Sequence, residues 1–398
     1  MRVRLCLIVA LSLLSFIAFT LQAPASAQDD ASLPAGFLDQ PDIFPVGVWL
    51  QDPENAVRFK AIGINFYAGL WDGPTERQLK QLQAAKMPVF APQNDLALGK
   101  RYNDIIAGWM MPDEPDNAQT RAGGGLGPPV LPDDLIHLYR TMKERDPNRP
   151  ILLNLGQGVA WDQWHGRGTR TNHPEDYEDY VKAADILSFD IYPITHPDGG
   201  IRGRLDYVAR GVDRLIGWTD GAKPVWSVIE ASRVSSAHIL PTGDQVRNLV
   251  WLSIIHGAEG IIYFVHQFTP GFVEASLLEN DPLRAAVKAI NQRLQNLAGV
   301  LKSESLPGVV SIEPNAESDN AVSALVKQDD CHLYIFTGSL SKFSTEVQFG
   351  IQDGVDTGHV EVLDEARVLP LVESSFRDNF GPYATHLYKI SRSKPGCE

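Results

Sequence analysis

Strand-length apolar runs recur eight times between Phe44 and Phe268, and the gaps between most of them carry a helical period. That alternation constrains the fold more than any other feature of the chain. The runs are Phe44–Leu50, Gly63–Leu70, Pro88–Gln93, the segment opening at Ile106, Pro150–Gly156, Asp185–Tyr192, Pro224–Glu230 and Gly260–Phe268. Helical patterns fill Pro53–Ala61, Thr75–Lys86, Asp133–Glu144, Glu175–Ala184, Arg204–Trp218, Gly243–His256 and Asp281–Leu301. Continuous apolar strands alternating with amphipathic helices predict a parallel sheet covered on its faces, and eight of them over about 260 residues predict an α/β fold of the (β/α)8 TIM-barrel type. A doubly wound open sheet would want a glycine-rich phosphate turn after an early strand, and the chain has none.

Beyond Lys302 the helical period stops. Ala321–Val326, His332–Phe336, Ser344–Phe349, His359–Leu363, Arg367–Leu371 and Ala384–Ile390 alternate or run apolar at strand length, with turn residues between them. They predict a small antiparallel β-sandwich. The expected organisation is a signal peptide over 1–27, a polar lead-in over 28–43, the barrel over 44–302 and the sandwich over 303–398. Arg2 and Arg4 precede an apolar run from Leu5 to Leu21, and Ala25-Ser-Ala27 supplies small residues at the cleavage positions. The mature protein is therefore expected to be secreted or periplasmic, with no membrane association once the signal is cleaved.

Charge narrows the partners. The formal net charge is −14, and it becomes more negative when Arg2 and Arg4 are set aside. Such a surface repels nucleic acid and anionic membranes. No Cys/His cluster has zinc spacing and no calcium-loop pattern appears, so no metal or other cofactor is expected. Cys331 and Cys397 are the cysteines that survive signal cleavage, and export permits them to pair. Oligomeric state is not legible.

The chemistry-bearing stretch is Ile106-Ile-Ala-Gly-Trp-Met-Met-Pro-Asp-Glu-Pro-Asp116. A strand ends there in Asp113 and Glu114, held between Pro112 and Pro115, which cannot donate to a sheet ladder. The seventh strand also ends on a carboxylate, Glu230. In a parallel barrel both ends open on one face. Glycosidic cleavage needs one carboxyl to protonate the leaving oxygen and another to attack carbon or activate water, so Glu114 and Glu230 are the expected working pair.

The run Trp109-Met-Met-Pro-Asp-Glu-Pro115 ending strand four, with a glutamate ending strand seven, resembles clan A of the glycoside hydrolases. The resemblance spans Phe44–Leu301, and the trailing sheets are similar to the accessory domain behind many such barrels. It implies a retaining double displacement on β-glycosidic or stereochemically equivalent linkages of poly- or oligosaccharides, with Glu114 as acid/base and Glu230 as nucleophile. The clan usually has asparagine before the acid/base; Asp113 stands there here, which turns an amide donor into an acceptor and pushes the Glu114 pKa up. Where the clan often places a tryptophan at strand eight, this chain has His266 and Phe268.

Tyr192, two residues after Asp190 at the end of strand six, resembles the clan tyrosine that hydrogen-bonds the nucleophile. Trp49, Tyr67 and Asn94, at the ends of the first three strands, are candidate pocket residues, as is His266. Trp71, Trp161 and Trp164 offer flat faces for the C–H surface of a sugar ring. The long segments Asn117–Pro132 and Gly156–Asn172 follow strands and belong on the catalytic face. A catalytically silent carbohydrate-binding barrel and a transglycosidase are the alternative readings of the same residues.

Overall fold

The computed structural model describes residues 36–121, 123–314, 322–352, 358–392 and 397. The expected signal peptide, 1–27, and the first part of the lead-in lie outside the described residues. Eight parallel strands close into a barrel: β1 (Val46–Trp49), β2 (Phe66–Ala68), β3 (Val89–Ala91), β4 (Ile106–Met110), β5 (Ile151–Leu155), β6 (Ile186–Asp190), β7 (Val225–Glu230) and β8 (Gly260–Phe264). β8 returns to β1, pairing Gly47 with Ile262, so no edge is left open.

The helices are α1 (Ala56–Lys60), α2 (Glu76–Ala85), α3 (Asp95–Leu98), α4 (Pro132–Arg145), α5 (Tyr177–Tyr180), α6 (Asp206–Trp218), α7 (Gly243–Ile255), α8 (Ser276–Glu279), α9 (Asp281–Asn296) and α10 (Ala298–Lys302). Capping boxes start α2 at Thr75/Gln78 and α7 at Thr242/Gln245. The helix expected over Glu175–Ala184 is instead the single turn α5 between two 3-10 turns. Its acids are otherwise engaged: Asp176 takes ion pairs from Arg167 and Arg170.

The two faces of the sheet form separate cores. Side chains one residue apart point opposite ways, so Phe66 and Ala68 face the barrel interior while Tyr67 packs outward against Phe59 of α1. Inside, Phe66, Phe90 and Trp226 meet with ring centroids 5.0–5.6 Å apart. They fit because the neighbouring strands carry glycine: a Cβ on Gly47 would lie 2.3 Å from the Phe66 ring, one on Gly108 2.3 Å from Phe90, and one on Gly260 2.7 Å from Trp226. Phe37 from the lead-in joins this cluster, its ring 6.0 Å from Phe66. The barrel interior is thus a packed plug below, and the room left within it lies at the carboxyl ends of the strands.

The C-terminal sheets are a five-stranded sheet ordered β10-β11-β16-β13-β14 and a three-stranded sheet ordered β15-β12-β9. Their strands are β9 (Val310–Pro314), β10 (Val322–Gln328), β11 (His332–Ser339), β12 (Thr345–Ile351), β13 (Gly358–Val362), β14 (Arg367–Leu371), β15 (Ser375–Phe380) and β16 (Thr385–Ser391). β9 and β15 were not expected. In β15 the buried face reads Phe376, Asp378, Phe380, and the acid hides the alternation. Asp378 is buried because Arg367 and the Tyr388 hydroxyl bond it. The sheets rest on α7, where Trp251 stacks on Phe336 at 5.4 Å and 13°. Cys331 and Cys397 are joined by a disulfide, Cα–Cα 5.2 Å.

Candidate active site

A cavity of about 710 Å³ opens at the carboxyl ends of the strands. Asp113 and Glu114 from the end of β4, Asp190 and Tyr192 from β6, Trp49, Trp71, Trp164 and His266 all stand on its wall. Strand alternation would send Asp113 and Glu114 to opposite sides. Glu114, however, has a left-handed backbone, φ 40°, which breaks the alternation, so both acids reach the cavity. That conformation is fixed from both sides: the Glu114 N–H donates to Asn154 O at 3.1 Å, and the Asn117 N–H donates to Glu114 O at 3.0 Å. Gly156 leaves room for the carboxyl, since a Cβ there would sit 2.9 Å from Glu114 Oε1.

Asp116 anchors this turn from behind. It is fully buried and accepts from the Gly156 N–H at 2.9 Å and from the Tyr177 hydroxyl at 2.7 Å. Arg167, also buried, donates to Asp116 O and to Asp176 and lies 4.7 Å above the Tyr177 ring. The following residue, Asn117, accepts from Trp164 Nε1 at 2.9 Å and so sets the one tryptophan of its loop that reaches the cavity.

Glu114 and Asp190 are hydrogen-bonded to each other. Burial, then the charges of Asp190 and Asp113, hold Glu114 well above the usual carboxylate range. Asp190 is raised by burial too, but it accepts from Glu114 and from the Tyr192 hydroxyl, and both contacts favour its anion. Of the two, Glu114 is therefore the one pushed further toward its protonated form. Asp113, open to solvent at the mouth, accepts from Asn154 Nδ2 at 3.0 Å and is shifted upward by enclosure and by Asp190. Across the cavity, Gln51 Nε2 lies 3.0 Å from both His266 Nε2 and Glu274 O. Because the carbonyl can only accept, the amide nitrogen faces both, and His266 Nε2 accepts; burial lowers the pKa of this imidazole, which is neutral.

Four expected site residues are not on the wall. The placing of Glu230 matters most. Trp226 and Val228 face the interior, so β7 does carry Glu230 on the inward side. Its carboxylate, however, has no exposed surface and turns to the loop after β6, accepting from the N–H groups of Ile194 at 2.5 Å and Thr195 at 3.1 Å. Burial pushes it up to about 7 against those bonds. Tyr67 points outward by strand parity, its hydroxyl on Asp52 O. Asn94 caps α3, accepting from Ala97 N, and its amide bonds Pro74 O. Trp161 packs edge-on against His196 beneath Trp164.

The structure adds wall residues that the sequence did not single out as site residues: Asp190, Asn154, Gln157, Glu274, Phe264, Phe268 and Phe272. Asp190 had a usable signal, since it ends an inward-facing series Ile186, Ser188, Asp190. Glu274 sits in a loop with no pattern to mark it. Among the described residues, no group of three or more His, Cys, Asp or Glu is arranged to hold a metal ion.

No family model matches the chain, and no curated protein matches it in sequence. Among solved structures it is similar to an alpha-amylase from Geobacillus thermoleovorans complexed with acarbose, at 9% identity over 89% of this chain and 99% of that one, TM-score 0.53. It is also similar to a GH27 β-L-arabinopyranosidase from Geobacillus stearothermophilus, at 11% identity over 92% of this chain and 99% of that one, TM-score 0.50. At such identities the likeness establishes a shared fold, the closed eight-stranded barrel followed by antiparallel sheets.

Proposed function

We propose that the chain is a glycoside hydrolase with Glu114 as its proton donor. The observation that carries this is the placing of Glu114 beside Asp190 on the wall of an aromatic-lined cavity at the carboxyl ends of the barrel strands, where burial and the neighbouring charge push Glu114 toward its protonated form. Cleavage of a glycosidic bond passes through an oxocarbenium-like state, which requires a proton for the departing oxygen and negative charge near the ring. Glu114 supplies the first. Asp113, Asp190 and Glu274 supply the second, and among the described residues no Lys or Arg lines the cavity to cancel it. Asp190 acts on Glu114 as a positioning residue, and Tyr192 holds Asp190 in turn. β-Linked poly- and oligosaccharides, together with stereochemically equivalent linkages, form the substrate panel. Export belongs to the same proposal, resting on the charge and hydropathy pattern of 1–27 and on a disulfide that oxidising compartments sustain; recovery of the protein in the cytoplasmic fraction contradicts it.

The test is Glu114→Gln assayed on aryl and natural glycosides. We expect kcat to fall by roughly 100- to 10,000-fold on substrates with poor leaving groups, with sugar binding retained. Equal turnover by the variant removes Glu114 from the chemistry, and no turnover of any panel member by the wild type favours a binding barrel. A second reading, double displacement by Glu230, is favoured by that residue's inward place on β7. It requires the carboxylate to leave the Ile194 and Thr195 N–H groups. If it holds, Glu230→Gly is inactive yet gains turnover with azide, giving a glycosyl azide of inverted configuration, while proton NMR of the wild-type reaction shows the first product with retained configuration.

A further inference from the structure

The cavity has an unusual charge inventory, and the substrate class can be read from it. Asp113, Glu114, Asp190 and Glu274 face one chamber, and no lysine or arginine is on its described wall. Arg233, the cation adjacent in sequence to the wall residue Val234, is not on that wall, and its Nη1 donates to the Gln267 side chain. His266 is neutral. Asp190, more than nine-tenths buried, has an Oδ1 atom with no hydrogen-bond partner. The same chamber is faced by the rings of Trp49, Trp71 and Tyr192. Carboxylates with unspent lone pairs, enclosed by aromatic faces, make a receptor for a cation bearing several N–H donors.

Resting on the glycosidase reading of this site, we propose that the sugar it takes is an amino sugar with a free, protonated amine, its ammonium seated between the carboxylates and the rings. A uronic acid or sulfated sugar would add charge of the sign already in excess. A neutral sugar would leave the carboxylates facing one another. An ammonium alone both donates to them and lowers their mutual repulsion, and its three N–H bonds match an arrangement of acceptors. Asp113 fits as the first contact, because it combines exposure at the mouth with a place on the wall.

The experiment is calorimetric binding of three matched hexamers to the Glu114→Gln protein: β-1,4-glucosamine, its N-acetylated form and cellohexaose. The glucosamine hexamer is expected to bind at least tenfold tighter than the other two at low salt. That advantage should shrink in 0.5 M NaCl, as screening of partly exposed charges requires, and should be lost in the double variant carrying Asp113→Asn. Pentalysine, which shares the charge but not the sugar, should not displace it. Equal affinities, a preference for a neutral hexamer, displacement by pentalysine, or a preference untouched by Asp113→Asn each overturn the proposal. Turnover by the wild type separates the two readings: cleavage of neutral oligomers without amine preference keeps the hydrolase and removes the amino sugar. Amine-selective binding without cleavage of any hexamer does the reverse.

Discussion

At the scale of single residues, the site turns on which carboxyl keeps a proton. Glu114 is raised in part by the charge of Asp190 and by the bond it donates to it. Asp190→Asn removes the charge and replaces a pure acceptor by an amide. The Glu114 pKa should then fall, so the acid loses its proton at a lower pH and the alkaline limb of kcat/KM moves toward acid. An unmoved alkaline limb in a folded Asp190→Asn enzyme would show that Asp190 does not tune Glu114. The sequence showed Glu114, because two prolines and a strand end frame it. It did not show the partner, because Glu230 and Asp190 end inward-facing strands in the same way. What separates them is where the β6 loop places two backbone N–H groups, and that is a tertiary fact. Tyr67 stands off the wall for a simpler reason: it lies one residue from the inward-facing Phe66 and Ala68, and in a strand one residue reverses the direction of the side chain.

At the scale of elements, the β4 turn depends on a buried scaffold behind it. Arg167 ties Asp116, His173 and Asp176 together, although it belongs to a loop of 3-10 turns. Arg167→Met leaves the buried Asp116 carbonyl, the partly buried His173 carbonyl and part of Asp176 without this donor, while Arg170 still pairs with Asp176. We expect a loss of about 3 kcal/mol in stability. The weakened Asn117–Trp164 contact should also raise KM more than it lowers kcat. Thermal denaturation and initial rates measure both, and a variant with wild-type Tm would mean that the arginine is not what holds the turn. The barrel strands were legible as apolar runs and the longer helices as periodic ones. The loop scaffold was not, since Asp116, Arg167 and Tyr177 lie far apart in a stretch where no period relates them.

At the scale of the whole molecule, barrel and sheets share a core. Phe336 and Leu387 belong to the same buried cluster as the helices around the barrel, and Arg247 of α7 bonds both the carbonyl and the hydroxyl of Thr385. Phe336→Ala removes the ring stacked on Trp251 and should cost about 3–5 kcal/mol. Because the cavity it leaves lies between the two parts, we expect the protein still to unfold in a single transition at lower temperature, followed by calorimetry. Two separated transitions, with the barrel's melting unchanged, would show that the sheets are an independent appendage.

The disulfide has a mechanical consequence. β16 is the middle strand of its sheet, bonded to β11 on one side and β13 on the other. A load on the chain beyond Cys397 would ordinarily peel that strand out from its end, one pair of hydrogen bonds at a time, and split the sheet in two. The bridge ends at Cys331, immediately before β11, so the load enters the sheet through a covalent bond at the neighbouring strand. β16 is bypassed: tension runs through the bridge into the Cys331 backbone, and the pairing of β16 with β11 and β13 carries no load until the covalent bond breaks.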